Sequence, residues 1–298
     1  AVNWNHYNNK RILGTVPVET DGSAYFTAPA GRFVFFQLLD ERGRMIHSMR
    51  SGAMLQPGER QGCVGCHENR LESARSIRYA SLALRRPPSK LDGWHGTARN
   101  FSYAAEVQPV LDKHCVRCHD YGGEAEQLNL SGDKGMIFNH SYVNLMRSSS
   151  SYYVRAEHET AEVMPLVSAV GAGPVKILPP YSWGSNRSRL VKLLDEGHHD
   201  VNLDPVSVDR IVTWIDLNAP YHGTWTEAGA KPQVLERRLE RLEGGNVTGG
   251  HQFGRGRHRG LCPARASVLW HDQPGNLVDR QPEPRHRELP GGGEYRRL

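Results

Sequence analysis

Apolar residues fall in short extended clusters over the first fifty positions. Arg11 to Glu19 carries Ile12, Val16 and Val18, and the turn Asp21-Gly22-Ser23 follows. Ala24 to Ala28 is a second extended candidate, ended by Pro29-Ala30-Gly31. Phe33 to Leu39 is a dense run of β-formers, Asp40 to Gly43 turns the chain, and Met45 to Met49 closes the set. Short strands separated by turns predict a small antiparallel sheet or sandwich. Past residue 100 the period lengthens. Residues 101–119 place Val107, Val110, Leu111 and His114 on one helical face, with Pro109 tolerated in the first turn. Residues 186–197 predict a second helix with Leu190, Val191, Leu193 and Leu194 apolar and Gly197 as its stop. Residues 206–217 predict a third, with Val208, Ile211, Val212 and Ile215 at helical spacing. The stretch 120–185 reads as loop.

The fold class expected is therefore α+β. A small N-terminal antiparallel β domain spans 1–90 and a mainly α-helical domain spans 98–230. The run Arg85-Arg86-Pro87-Pro88-Ser89 reads as the linker between them. Residues 231–298 are expected to form a helical stub followed by a disordered tail. From Gly244 onward there is no Lys, Ile or Met, and Gly, Arg and Pro make up 25 of 55 residues. Such a segment has few apolar groups to offset its ordering entropy. The sudden change is also the pattern that an out-of-frame reading of G/C-rich coding sequence would leave.

Charge sharpens this division. Residues 1–230 hold 24 Lys and Arg against 24 Asp and Glu, while 231–298 hold 13 against 8. The net charge of +5 thus lies in the tail, and the body has no basic excess pointing to nucleic acid. No run approaches the roughly 18 apolar residues of a membrane span. No basic-then-apolar leader precedes the body, so a mature form or a fragment is expected.

Four of the five cysteines form two like motifs, Cys63-Val-Gly-Cys66-His67 and Cys115-Val-Arg-Cys118-His119. The spacing C-x-x-C-H is that of c-type haem attachment. Two thiols two residues apart can each bond one vinyl group of a porphyrin, and the next His can then offer nitrogen to the iron. Zinc ribbons usually separate their two pairs by about 15–20 residues, whereas 48 residues lie between Cys66 and Cys115. Neither zinc, a thioredoxin-like pair nor a disulfide accounts for a His after both pairs. The cofactors expected are two covalently bound c-type haems, with Cys63, Cys66, Cys115 and Cys118 binding them and His67 and His119 as proximal iron ligands. Such haems are assembled outside the bacterial cytoplasm, so a periplasmic or otherwise exported protein is expected. Cys262, in the tail, reads as a bystander.

Other residues carry a resemblance. Gly14-Thr-Val-Pro-Val-Glu-Thr-Asp-Gly-Ser23, Phe36-Gln-Leu-Leu-Asp-Glu-Arg-Gly43, Met49-Arg-Ser51, and Pro57-Gly-Glu59 leading to Cys63-Val-Gly-Cys-His-Glu68 resemble hydrazine synthase alpha subunit-like proteins. Val107 to His119, Gly197-His-His199 and Trp214 to Gly223 resemble that family's C-terminal cytochrome domain. The likeness spans roughly residues 10–240. It implies multihaem cytochrome chemistry, a cytochrome c-like helical domain and a redox partner protein. It also implies that the second haem draws its distal ligand from His198, with His199 next. Two features of the family have no counterpart in these residues. One is an N-terminal β-propeller. The other is a Tyr four residues after the first motif His, where the family holds the catalytic iron and diverts the His to zinc; Leu71 stands there, and Tyr79 is the nearest Tyr beyond it. Hydrazine-forming activity is therefore not carried over.

A second strong ligand would close an iron for electron transfer, and an open position would admit a small molecule. His222 and His140 are weaker distal candidates for the second haem, and His114 is expected beside the ring. For the first haem, Met49, Met54, His47 and His95 are candidates, and the expectation is an iron that is five-coordinate or weakly capped, where a small-molecule ligand could bind. Glu68 reads as a solvated carboxylate. The catalytic residues are not identified by any motif. The leading expectation is a dihaem electron-transfer module of an oxidoreductase. Its rivals are a pure electron carrier with both irons closed, a catalytic subunit handling small nitrogen compounds, and a structural zinc protein.

Overall fold

The computed structural model describes residues 9–49, 52–63, 81–146, 165–170, 178–224, 226–229 and, for the backbone, 265–272. Five strands, β1 (Asn9–Pro17), β2 (Phe33–Leu39), β3 (Met45–Ser48), β4 (Ala53–Met54) and β5 (Arg265–Asp272), form one sheet. The order is β1-β5-β2-β3, with β4 also paired to β2, and every pairing is antiparallel. On β1, Lys10, Ile12, Gly14 and Val16 are buried at every second position, so one face turns to the core. Gly14, at φ +142°, lies so close to the 90s segment that an added Cβ would stand 2.5 Å from the Gly93 nitrogen.

β2 matches its sequence expectation, and β1 and β3 lie within about two residues of theirs. Ala24–Ala28 does not become a strand; only Phe26 pairs there, in a single bridge with Ser89. The larger correction is β5. Residues 265–272 belong to the tail expected to be disordered, yet they pair with β1 from Asn9–Asp272 to Pro17–Arg265 and with β2 from Val34–Trp270 to Leu39–Arg265. The run Ala266-Ser-Val-Leu-Trp270 is short and β-favouring, and an average over the surrounding Gly, Arg and Pro conceals it. The other residues of the tail, including the helical stub and Cys262, lie outside the described residues.

The helices are α1 (Tyr103–Glu106), α2 (Gln108–His114), α3 (His140–Met146), α4 (Arg189–Glu196) and α5 (Pro205–Asp216). The helix expected over 101–119 is thus shorter, interrupted at Val107 and ended at Cys115. α3 falls in the stretch read as loop. Asp204 caps α5 by accepting a hydrogen bond from the Ser207 amide at 2.9 Å. A single apolar cluster joins Ile12 and Phe35 of the sheet to Tyr103, Leu111, Leu145, Ile211 and Trp214 of the helices.

Polar contacts reinforce that junction. Gln37 donates to the Asp216 carbonyl at 2.6 Å, and buried Lys10 donates to the Leu217 carbonyl. Trp94 and His95, in the segment after the expected linker, both reach one oxygen of Asp209 on α5, at 2.7 and 2.6 Å. No helix among the described residues is long and apolar enough to cross a membrane.

Candidate functional site

The second cysteine motif begins where α2 stops. Val107, Val110 and Leu111 are buried and hold α2 in the core, so its last turn delivers Cys115 at a fixed point. The chain then curls. The Cys115 amide donates to the Leu111 carbonyl at 2.8 Å, and the Cys118 and His119 amides both donate to the Cys115 carbonyl, at 3.1 and 3.0 Å. Both thiols are free and half-buried. Burial first, then the nearby Cys118, pushes the Cys115 thiol up to about 11. A catalytic dithiol needs the opposite shift. The Cys115 thiol is therefore held in its neutral form at neutral pH, which does not suit it to disulfide exchange.

His119 is aimed by the loop that follows. Its Nδ1 lies 3.1 Å from the Leu128 carbonyl oxygen, which can only accept, so Nδ1 carries the proton and the Nε2 lone pair is left free. A metal-bound imidazole is usually held by this kind of contact. The loop returns tightly: the Leu130 amide donates to the His119 carbonyl at 2.7 Å, and the Ala125 amide to the Cys118 carbonyl at 3.0 Å. Gly123 sits where an added Cβ would approach the Cys118 carbonyl oxygen to 2.5 Å, which excludes any side chain.

His198 arrives from the other side. α4 ends at Gly197, whose φ of +87° suits glycine, and His198 pairs with Val201 in a one-rung bridge. The ring centroids of His119 and His198 lie 6.0 Å apart with planes at 26°. Two imidazoles binding one metal at about 2.0–2.1 Å each would place their centroids roughly 6 Å apart. His198 is held below the ordinary imidazole range by burial, then by His199 and His119, which favours the neutral, ligating form. His199 follows at φ +51°, its ring crossing that of His198 at 4.7 Å and 74°.

The donor set suits a group that brings ligands of its own. Among the described residues no group of three or more His, Cys, Asp and Glu could enclose a metal ion. An imidazole pair falls short of a four-coordinate zinc cage, whereas a porphyrin would supply four nitrogens of its own, so that two imidazoles would suffice to complete its iron. His114 adds a further sign. It precedes Cys115, and its Nε2 is buried without a hydrogen-bond partner, 4.0 Å from Asp204 Oδ2. A buried polar nitrogen without a partner beside the thiol-bearing turn is what a cofactor with acceptor groups would satisfy.

The first motif is described only at Cys63, which is exposed. Cys66, His67, Glu68, Leu71 and Tyr79 lie outside the described residues. The distal candidates named for that haem have other contacts. His95 is engaged by Asp209, and Met49 packs against the core while its amide donates to the Phe36 carbonyl at 3.0 Å. His47 lies on β3 opposite Leu38. Met54 is exposed on β4. For the second haem, His140 Nδ1 meets the Tyr121 hydroxyl at 2.8 Å, and half-buried His222 stands 6.0 Å from the Phe138 ring.

Sequence reasoning missed three positioning contacts. Asp216, fully buried at the end of α5, accepts from the Met45 amide at 3.0 Å and from the Ser185 amide and hydroxyl at 2.7 and 2.8 Å. Arg44 grips Asp195 through two bonds at 2.7 and 2.6 Å. Arg99 pairs with buried Glu106, which Arg210 also approaches at 3.4 Å. An Asp within the apolar run Trp214-Ile-Asp-Leu was a signal for the first; the other two carry none.

Residues 1–68 match the family model described as hydrazine synthase alpha subunit middle domain. That match covers β1 to β4 and ends just past the first Cys-x-x-Cys-His. No curated protein and no solved structure matches the chain. The N-terminal part of the chain is thus similar to a hydrazine synthase alpha subunit, at the level of that one domain.

Proposed function

We propose that the chain is a dihaem c-type cytochrome module of an exported oxidoreductase, working in electron transfer. The observation that carries this reading is the His119–His198 ring pair, 6.0 Å apart and built on a Cys-x-x-Cys-His turn. Bound haem would supply a one-electron centre whose closed iron suits relay over small-molecule chemistry. The protein's part is positional. Cys115 and Cys118 hold the group covalently, the Leu128 carbonyl fixes the tautomer of His119, and the turn at Gly197 presents His198 opposite. Cys63, Cys66 and His67 would hold the first haem, and periplasmic export would supply the assembly machinery.

A pyridine haemochrome spectrum with a haem-to-protein ratio tests this, on protein matured with that machinery. Two covalent haems per chain are expected. Absent haem with bound zinc would replace the reading with a structural metal protein.

The match over residues 1–68 favours a second reading, in which an open first haem carries chemistry on small nitrogen compounds. Carbon monoxide separates the two: one equivalent bound per chain indicates an open iron, and none indicates a pure relay.

A further inference from the structure

Three consecutive carbonyls in the loop after the second motif each take one specific donor. Leu128 accepts from His119 Nδ1 at 3.1 Å, Asn129 from Asn144 Nδ2 at 2.7 Å, and Leu130 from Gln108 Nε2 at 3.1 Å. The Leu130 amide closes the loop on the His119 carbonyl at 2.7 Å. Asn129 and Leu130 are buried, so neither carbonyl can lose its side-chain donor to water without cost. The carbonyl that aims His119 thus adjoins two others gripped from two helices, by Gln108 on α2 and by Asn144 on α3.

Gln108 is itself held. It is 5% exposed, and every position of its amide is filled. Nε2 donates to Asp112 Oδ1 at 2.7 Å as well as to Leu130, and Oε1 accepts from Ser141 Oγ at 2.5 Å and from Asn139 Nδ2 at 3.2 Å. A side-chain amide has two N–H donors and two acceptor lone pairs, so this one cannot turn without losing bonds. α2 therefore fixes the Cys115 thiol at its end and, through Gln108, the loop that orients His119.

The contact so fixed has an electronic consequence. A hydrogen bond donated by Nδ1 makes the imidazole a more basic ligand, and a more basic ligand favours ferric over ferrous iron. Hydrogen bonding around an axial ligand is one of the protein's levers on a haem potential. Loosening the Leu128 carbonyl weakens that bond and raises the potential.

We propose that Gln108 and Asn144 are positioning residues that set the reduction potential of the second haem, by holding the Leu128 carbonyl against His119. This rests on the cytochrome reading above.

The test is a spectroelectrochemical titration of the full haem-loaded chain, with Cys63→Ser and Cys66→Ser throughout so that one haem titrates. Tm and covalent haem are measured on the same samples. Gln108→Met and Asn144→Ala should each raise the midpoint potential by about 30 mV or more, roughly a threefold change in the ferrous-to-ferric ratio at fixed potential. Tyr142→Phe is the control. It lies on α3, and its hydroxyl donates to the Ala219 carbonyl at 2.9 Å, not to the loop. It should lower Tm and leave the potential at the parent's value. Parent potentials in both Gln108→Met and Asn144→Ala overturn the proposal. So does an equal rise in Tyr142→Phe, which would make the shift a general loosening of the core. If Gln108→Met fails to fold, half-buried Asn144 decides alone. A parent without covalent haem ends the cytochrome reading; a haem-loaded parent with unmoved variants ends this proposal alone.

Discussion

Arg44, in the turn leading into β3, holds Asp195 near the end of α4 by two parallel hydrogen bonds, 2.7 and 2.6 Å long. Asp195 stands two residues before Gly197, so the sheet restrains the helix end from which His198 projects. Arg44 is 8% exposed at its side chain, which limits competition from water. Arg44→Ala should cost about 1.5–3 kcal/mol in urea unfolding, the range for hydrogen bonds to charged groups. Arg44→Lys keeps the charge without the fork and should fall between. Equal stability of Arg44→Ala and parent would show that the clamp carries nothing.

Asp216 gives a pH dependence of definite sign. Burial pushes its carboxyl up to about 6, against the pull of the Ser185 and Met45 donors. In the unfolded chain it titrates near 3.8. The stabilisation is therefore fully present below about 4 and is lost as pH rises through about 6, a change of roughly 3 kcal/mol. Asp216→Asn removes the titrating group. The parent-minus-variant stability difference should fall between pH 4 and 6. A difference that rises over that window would mean that the donors outweigh burial.

Gly123→Ala tests the turn around the second motif. Its Cβ would meet the Cys118 carbonyl oxygen at 2.5 Å, so the backbone must shift. A destabilisation of about 1–3 kcal/mol is expected, as for other overpacked sites. Haem attachment at Cys115 and Cys118 should fall in step, read by mass spectrometry of the peptide. Full attachment with parent stability would show that the turn is loose.

β5 makes the tail structural. Removing residues 265–298 strips β1 and β2 of the strand between them and leaves two unpaired edges. The truncated chain should melt several degrees lower and aggregate more readily. An unchanged Tm would remove β5 from the sheet.

Legibility in the sequence followed the strength of local signals. α5 was readable because Val208, Ile211, Val212 and Ile215 repeat over a full twelve residues with Asp204 as its cap. β2 was readable from seven residues without a polar break except Gln37. α3 was not, because seven residues with Tyr142, Leu145 and Met146 inward make only two turns, too few for a period to emerge. β5 was hidden by its surroundings, and its partners lie more than 200 residues away. At the candidate site, the Cys115, Cys118 and His119 motif stands out in the sequence by its spacing, and the structure adds that it follows directly on the end of α2. The Leu128 carbonyl was not legible, because any residue supplies one. His198 was nominated by resemblance, and its distance to His119 belongs to the tertiary structure.

The proposal that His119 and His198 share one haem iron is tested most directly by the ferric spectrum of that haem alone. Cys63→Ser with Cys66→Ser would leave that haem in isolation, and absorption with electron paramagnetic resonance would then report its axial ligands. The expected result is a low-spin, six-coordinate iron that His199→Ala leaves intact and that His198→Ala converts to an open, carbon monoxide-binding form. A low-spin spectrum unchanged in His198→Ala would contradict the assignment of His198 as the second ligand.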